Sequence, residues 1–205
     1  FNLQGAQLGM VAGGAVLKHA RDFNLIRESV LGSALSPYTP AFDIQQACGT
    51  GLQAITTVAD GIARGRYDAA IGGGVDTTSD APIAVGEGLR RQLLEVNRAR
   101  STKDQILGAA KLLTKLGIEI PRNGEPRTGM SMGEHAAVTA KEFGIKRADQ
   151  DELAARSHQN MAAAYDAGFF DDLITPFLGL TRDQNLRGDS TAEKLAKLKP
   201  VFGVS

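Results

Sequence analysis

The sequence predicts an α/β fold in which a region of alternating strands and helices is followed by a mainly helical lobe. Over residues 8–80, short strand-like apolar runs alternate with helical segments, the pattern of parallel strands joined by helices. Residues 81–205 are mostly helical and charged, and Gly and Pro interrupt them. The 24 glycines indicate tight turns and close backbone contacts. We therefore expect residues 1–80 to form an α/β core and residues 81–205 a helical lobe.

The α/β core is predicted to contain three extended segments and two helices in alternation. Their apolar runs are short and are separated by Gly, Pro and polar residues. In chain order they are a strand in residues 8–16, a helix in 24–31, an extended segment in 41–44, a helix in 52–63 and a strand in 68–72. This order favours a parallel sheet, because each helix can return the chain to the start of the next strand.

Three further helices are predicted in the lobe from helical spacing and stop signals. Residues 132–143 carry an apolar stripe, and Gly144 follows as a C-cap. Residues 148–166 form a second, longer helix that ends before Gly168. A shorter one, residues 191–198, is stopped by a proline two positions later.

Composition excludes several classes of protein. The chain has 23 Lys plus Arg and 23 Asp plus Glu, so it lacks the basic excess that a general nucleic-acid binder needs. It also lacks an apolar run of the roughly 18 residues expected of a membrane span, and it does not open with a secretory signal pattern. We therefore expect a cytoplasmic protein without a membrane span and without a nucleic-acid partner.

The single cysteine, Cys48, lies at the predicted junction of a strand and a helix. At a helix N-terminus the unpaired N–H groups and the positive end of the helix dipole stabilise a thiolate and make it nucleophilic. Gly49 and Gly51 lack a Cβ, which lets another segment or a bound acyl group approach the sulfur. A buried cysteine that serves only as core is the alternative interpretation.

A nucleophilic cysteine also requires a base, and the chain offers three histidines. His19 lies in a charged stretch and is interpreted as solvated surface. His135 stands at the start of a helix and is expected on its surface, whereas His158 is expected to be a partly buried structural residue. Spacing makes none of them a convincing partner for the cysteine, so the base is expected outside this chain segment.

Several motifs together resemble the thiolase family. The nucleophile segment is matched by Gln46-Ala47-Cys48-Gly49-Thr50-Gly51-Leu52, and the strand and turn that follow it by Ala70-Ile71-Gly72-Gly73-Gly74-Val75-Asp76-Thr77-Thr78-Ser79. The resemblance continues through Ser131-Met132-Gly133-Glu134-His135 and ends at Lys194-Leu195-Ala196-Lys197-Leu198-Lys199-Pro200-Val201-Phe202. It implies the amino-terminal half of a thiolase, a layered α/β/α unit with an inserted, mainly helical loop domain. No counterpart of the family's second half, with its second catalytic cysteine, is present.

The resemblance implies an acyl-CoA C-acyltransferase in which Cys48 accepts the acyl group from a thioester and passes it on. Gly49 would extend the amides near the helix start, and Met132 and Gly133 would line the acyl and pantetheine path. Arg182 and Lys194 are the candidates for the phosphates of the CoA nucleotide. Coenzyme A would be a substrate, and neither a permanently bound cofactor nor a metal is expected.

The resemblance further implies lipid metabolism, with fatty-acid β-oxidation as one setting, and a homodimer or homotetramer with acyl-CoA and CoA as small-molecule partners. Without the second half, this chain alone is expected not to turn over efficiently. Two alternatives stay open at this point. One is a ketoacyl synthase that uses a carrier protein, and the other is a non-catalytic, lipid-binding or scaffold subunit of the same fold.

Overall fold

The computed structural model describes residues 2–121 and 123–203 of the chain. The chain divides into two compact units, Phe1–Pro121 and Arg122–Ser205. We call them the first and the second unit, and each is described by itself.

A parallel three-stranded sheet forms the centre of the first unit. Strand β1 (Met10–Gly14) lies between β2 (Ala41–Asp43) and β3 (Ala70–Gly74). Val11 is aligned with Ala41 on one side of β1 and with Ile71 on the other. The predicted parallel sheet is therefore confirmed, with strands that are shorter than or offset from the predicted segments.

Two helices connect these strands and cover the two faces of the sheet. Helix α1 (Leu25–Leu31) joins β1 to β2, and α2 (Thr50–Ala63) joins β2 to β3. The core has two clusters: Val30 of α1 packs with Leu8 and Val11, whereas α2 contributes two residues that pack with Ala12. Because neighbouring residues of a strand point to opposite faces, Val11 and Ala12 place these clusters on opposite sides of the sheet. The layered α/β/α arrangement is confirmed.

The segment after the sheet folds back on itself within the first unit. Strands β4 (Ala84–Val85) and β5 (Ile118–Glu119) pair in antiparallel fashion. Between them lie helices α3 (Glu87–Arg98) and α4 (Thr102–Leu112), which pack against each other. The sequence predicts that the helical lobe begins after residue 80, whereas the compact units divide at Pro121. The pairing of β4 with β5 closes this segment, a contact that the sequence did not predict.

The second unit contains the three helices predicted in it: α5 (Met132–Glu142), α6 (Arg147–Asp166) and α7 (Ala192–Leu195). Gly144 and Gly168, which follow the first two, have φ angles of 64° and 71°. These left-handed values are those of glycines that end helices. Helix α7 is shorter than predicted. Within residues 2–121 and 123–203, no helix has both the length and the apolar character needed to cross a lipid bilayer.

Candidate functional site

Cys48 lies in a single 3₁₀ turn, Ala47–Gly49, that leads directly into helix α2. Strand β2 ends at Asp43, so the cysteine stands between a strand and a helix as predicted. Its thiol is free, and the residue is exposed. The interpretation of Cys48 as a core residue is therefore wrong for the chain described here.

The backbone around Cys48 is unusual at the residue before it. Ala47 has a φ angle of 44°, in the left-handed region that residues with a Cβ rarely adopt. Gly49, by contrast, has an ordinary φ angle of −85°. A Cβ on Gly49 would lie 3.3 Å from the side-chain amide nitrogen of Gln46. The missing side chain of Gly49 therefore matters for space rather than for conformation.

Charged residues fix the ends of the strands on which this site is built. The carboxylate of Asp43 accepts hydrogen bonds from the backbone N–H groups of Leu25 (3.2 Å) and Ile26 (2.9 Å), and Lys18 Nζ lies 2.6 Å from it. Partial burial raises the pKa of Asp43, but the hydrogen bonds from Lys18 and from the two N–H groups outweigh it, so the net pKa is lowered. Asp43 therefore holds β2 to the start of α1 as a carboxylate.

Asp76 performs a similar task after β3. Its carboxylate accepts hydrogen bonds from the backbone N–H groups of Val16 at 2.9 Å and Leu17 at 2.7 Å. This contact joins the chain that leaves β3 to the chain that leaves β1. The roles of Asp43 and Asp76 were not predicted, although an aspartate after a predicted strand is a signal for such backbone contacts.

Met132 and Gly133 form the first turn of α5 in the second unit. Ser131 and Glu134 make a capping box there, with Ser131 N–H donating to Glu134 Oε2 at 2.6 Å and Glu134 N–H donating to Ser131 Oγ at 3.3 Å. This cap was not predicted, although the Ser-x-x-Glu spacing is a known sequence signal for it. Met132 is half exposed.

Packing against Phe202 explains why position 133 is a glycine. A Cβ at this position would lie 2.2 Å from the ring of Phe202, so the ring occupies the space that a side chain would need. Gly133 also lines an open groove of about 950 Å³ between α5 and residues 198–203. The predicted contact of Gly133 with substrate stays a prediction beside this structural role.

Arg182 and Lys194, the two candidates for phosphate binding, each have a partner within the second unit. The guanidinium carbon of Arg182 lies 4.5 Å from the centre of the Tyr165 ring, a cation–π contact. Lys194 Nζ lies 2.7 Å from Asp189 Oδ2 and donates to the Asp189 carbonyl oxygen at 2.8 Å. Both side chains are positioned by these contacts, and their predicted role in CoA binding is not tested by them.

The predicted site residues fall into two groups. Cys48 and Gly49 are adjacent in the first unit, and the structure places Met132, Gly133, Arg182 and Lys194 in the second. The Asp76 contact with Val16 spans 60 positions of the chain, whereas the Lys194 contact with Asp189 spans five.

The three histidines are engaged with groups other than Cys48 in the described part of the chain. His19 Nε2 lies 2.8 Å from the carbonyl oxygen of Asp80, and its side chain is 22% exposed, so it is a partly buried residue rather than a fully solvated one. His135 Nε2 lies 3.4 Å from Thr128 Oγ1. His158 is half-buried as predicted, and its Nδ1 lies 3.3 Å from the backbone nitrogen of Arg187.

Comparison with known proteins gives consistent results. A family model described as thiolase, N-terminal domain, matches residues 1–205. The chain is 39% identical over 200 residues to a 3-ketoacyl-CoA thiolase of Yersinia enterocolitica, across 92% of this chain and 45% of that protein. A 3-ketoacyl-CoA thiolase of Yersinia pestis is 38% identical with the same coverage. The chain thus spans a little under half the length of these curated relatives.

A solved structure also resembles the chain. The crystal structure of the Bacillus anthracis acetyl-CoA acetyltransferase superposes with a TM-score of 0.73 and 28% sequence identity. The superposition covers 96% of this chain and 48% of that one.

Proposed function

Because this chain belongs to the thiolase family, we propose that the protein containing it is an acyl-CoA C-acyltransferase with Cys48 as its nucleophile. The observation that carries the proposal is an exposed, free thiol at the start of a 14-residue helix. The similar proteins named 3-ketoacyl-CoA thiolase and acetyl-CoA acetyltransferase support the same class of reaction.

The reaction proceeds in two halves. The Cys48 thiolate attacks the carbonyl carbon of an acyl-CoA thioester, the bond from that carbon to the CoA sulfur breaks, and CoA leaves as a thiolate that takes up a proton. In the second half, the sulfur of CoA or the carbanion of a second acyl-CoA attacks the acyl-cysteine carbonyl. The bond to Cys48 then breaks, and the cysteine thiolate is restored.

The start of α2 suits the first half of this reaction. The first N–H groups of a helix have no partner within it, and the dipole favours a negative charge there. A Cβ on Gly51 would meet no heavy atom within 4 Å among the described residues, so the helix start has open space beside it. This space supports the approach of an acyl group toward Cys48.

The remaining roles follow from family membership and are part of the proposal. Gly49 contributes to the amides near the helix start, Met132 and Gly133 line the acyl and pantetheine path, and Arg182 and Lys194 bind the phosphates of CoA. The base lies outside this chain. The enzyme needs no permanently bound cofactor, acts in the cytoplasm in lipid metabolism, including fatty-acid β-oxidation, and forms a homodimer or homotetramer.

The proposal is tested by incubating the whole protein with acetyl-CoA and identifying the modified peptide by mass spectrometry. We expect the peptide that contains Cys48 to gain the mass of one acetyl group and to lose it when CoA is added in excess. The Cys48→Ala variant should gain nothing at this peptide. Acetylation at another residue, or none in a folded protein, would show that Cys48 is not the nucleophile.

A further inference from the structure

The turn that carries Cys48 contains a backbone conformation that its own sequence does not favour. Ala47, directly before the cysteine, is left-handed with a φ angle of 44°. The Cβ of an alanine makes this conformation costly, and such a conformation persists only where the surrounding structure holds it. The contacts that hold Ala47 therefore also determine where Cys48 lies.

The hydroxyl group of Thr50 makes two of these contacts. It accepts a hydrogen bond from the backbone N–H of Gln46 at 2.9 Å and donates one to the carbonyl oxygen of Ala47 at 2.7 Å. The N–H of Gln46 precedes the left-handed residue, and the carbonyl oxygen of Ala47 belongs to the peptide that joins Ala47 to Cys48. Thr50 is only 4% exposed, so water has little access to replace the hydroxyl.

The methyl group of Thr50 connects the same side chain to the sheet. A Cβ on Gly14, the last residue of β1, would lie 2.9 Å from Thr50 Cγ2 and 2.1 Å from the carbonyl oxygen of Ile44. The missing side chain of Gly14 therefore leaves the space in which the methyl group packs. The methyl group of Thr50 contacts the end of the central strand, and its hydroxyl group holds the turn that carries Cys48.

We propose that Thr50 is a positioning residue for acyl transfer, and that its hydroxyl fixes the turn that presents the sulfur of Cys48 at the start of α2. Thr50 acts through the backbone and does not contact the substrate. The inference rests on the proposed function, in which Cys48 is the nucleophile. A valine at position 50 would keep the shape and remove both hydrogen bonds, whereas a serine would keep the hydroxyl and remove the methyl group.

The test compares Thr50→Val, Thr50→Ser and Thr57→Val in the whole protein. Thr57 is a matched control on the same helix, because its hydroxyl donates only within α2, to the carbonyl oxygen of Gln53 at 2.7 Å. The rate at which acetyl-CoA acylates Cys48 is measured in a single turnover. We expect Thr50→Val to lower the maximal rate by roughly tenfold to a hundredfold, with little change in the half-saturating acetyl-CoA concentration. Thr50→Ser and Thr57→Val should stay near the wild-type rate.

A wild-type acylation rate in folded Thr50→Val, or equal losses in Thr50→Val and Thr57→Val, would overturn the inference. If Thr50→Val does not fold, the double variant Ala47→Gly/Thr50→Val replaces it, because glycine adopts a positive φ without the steric cost. This double variant should fold and still react slowly. An acylation rate in it equal to that of the Ala47→Gly single variant would overturn the role of Thr50.

Alkylation of Cys48 by iodoacetamide separates this inference from the proposed function. If the wild-type cysteine is not acylated, the proposed function fails, but the alkylation rate still reports on the position of the sulfur. We expect Thr50→Val to be alkylated more slowly than Thr57→Val, because its thiolate loses the stabilising helix start. Equal alkylation rates of the two variants would contradict the positioning role, whatever the acylation result.

Discussion

Asp43 is the residue whose charge matters most to the strand end beside the Cys48 turn. Its side chain is 17% exposed, it is paired with Lys18, and it accepts two backbone hydrogen bonds from the start of α1. These contacts are made by the carboxylate and are weakened when it is protonated. The stability of the first unit should therefore depend on pH through this residue.

We predict that Asp43→Asn lowers the free energy of unfolding at neutral pH and weakens its dependence on pH in acid. The folded-state pKa lies below the ordinary value of 3.8, so the unfolded chain binds a proton more readily. The stabilisation is therefore present above pH 3.8 and is lost as pH falls through the folded-state pKa. Urea unfolding at a series of pH values measures the free energy of unfolding and its dependence on pH. Asp68→Asn, at an exposed position, is the control, and an unchanged acid dependence in Asp43→Asn would contradict the prediction.

The position of Cys48 was predictable from sequence, and the means of holding it was not. A cysteine followed by two glycines at a strand-to-helix junction is a recognisable pattern. A left-handed alanine has no comparable signal, because the residues that mark this conformation in sequences are glycine, asparagine and aspartate. Thr50 was missed for the same reason, since its hydroxyl has a purpose only once Ala47 is known to need support.

At the scale of elements, the close contact of α2 with β3 depends on one glycine. A Cβ on Gly72 would lie 2.8 Å from Cα of Ile55, a backbone atom of α2 that cannot move by itself. A Cβ on its neighbour Gly73 would meet no heavy atom within 4 Å in the described structure. The two glycines are adjacent in one strand and face opposite sides of the sheet.

We predict that Gly72→Ala destabilises the protein by about 1–3 kcal/mol, because the helix must shift away from the strand. Gly73→Ala should change the free energy of unfolding by less than about 0.5 kcal/mol. Chemical denaturation of both variants measures the difference. Equal stabilities would mean that α2 can move on the sheet without cost and that this packing does not require glycine.

Elements with a long apolar repeat and clear end signals were the predictable ones. Helices α5 and α6 begin and end within one residue of their predicted limits, and glycines follow them as expected. Strands β4 and β5 have only two residues each. Segments this short carry no periodicity, so their pairing depends on contacts between distant parts of the chain.

At the scale of the whole molecule, the proposed acyl transfer would need the thioester arm of acyl-CoA at Cys48 and protein contacts to the CoA nucleotide. Cys48 belongs to the first unit, whereas the phosphate-binding candidates Arg182 and Lys194 belong to the second. Lys194 is held by Asp189, and a phosphate would have to share this lysine with the carboxylate. Kinetic measurements on the whole protein can show whether the second unit contributes to the acylation of Cys48.

We predict that Lys194→Met raises the half-saturating concentration of acetyl-CoA for acylation of Cys48 by roughly tenfold, the effect expected when a hydrogen-bonded charge is lost. Acetyl-pantetheine has the same thioester arm without the nucleotide, so its reaction should be unchanged in this variant. Lys197→Met, at an exposed position of the same segment, is the matched control for a change in net charge. Equal losses with both thioesters would show that Lys194 supports the structure of the second unit. No loss with either thioester would show that Lys194 does not bind phosphate.

A carrier protein charged with an acetyl group also lacks the CoA nucleotide, and it distinguishes a ketoacyl synthase from a thiolase. If this carrier protein acylates Cys48 faster than acetyl-CoA does, and at the same rate in Lys194→Met, a ketoacyl synthase is favoured instead.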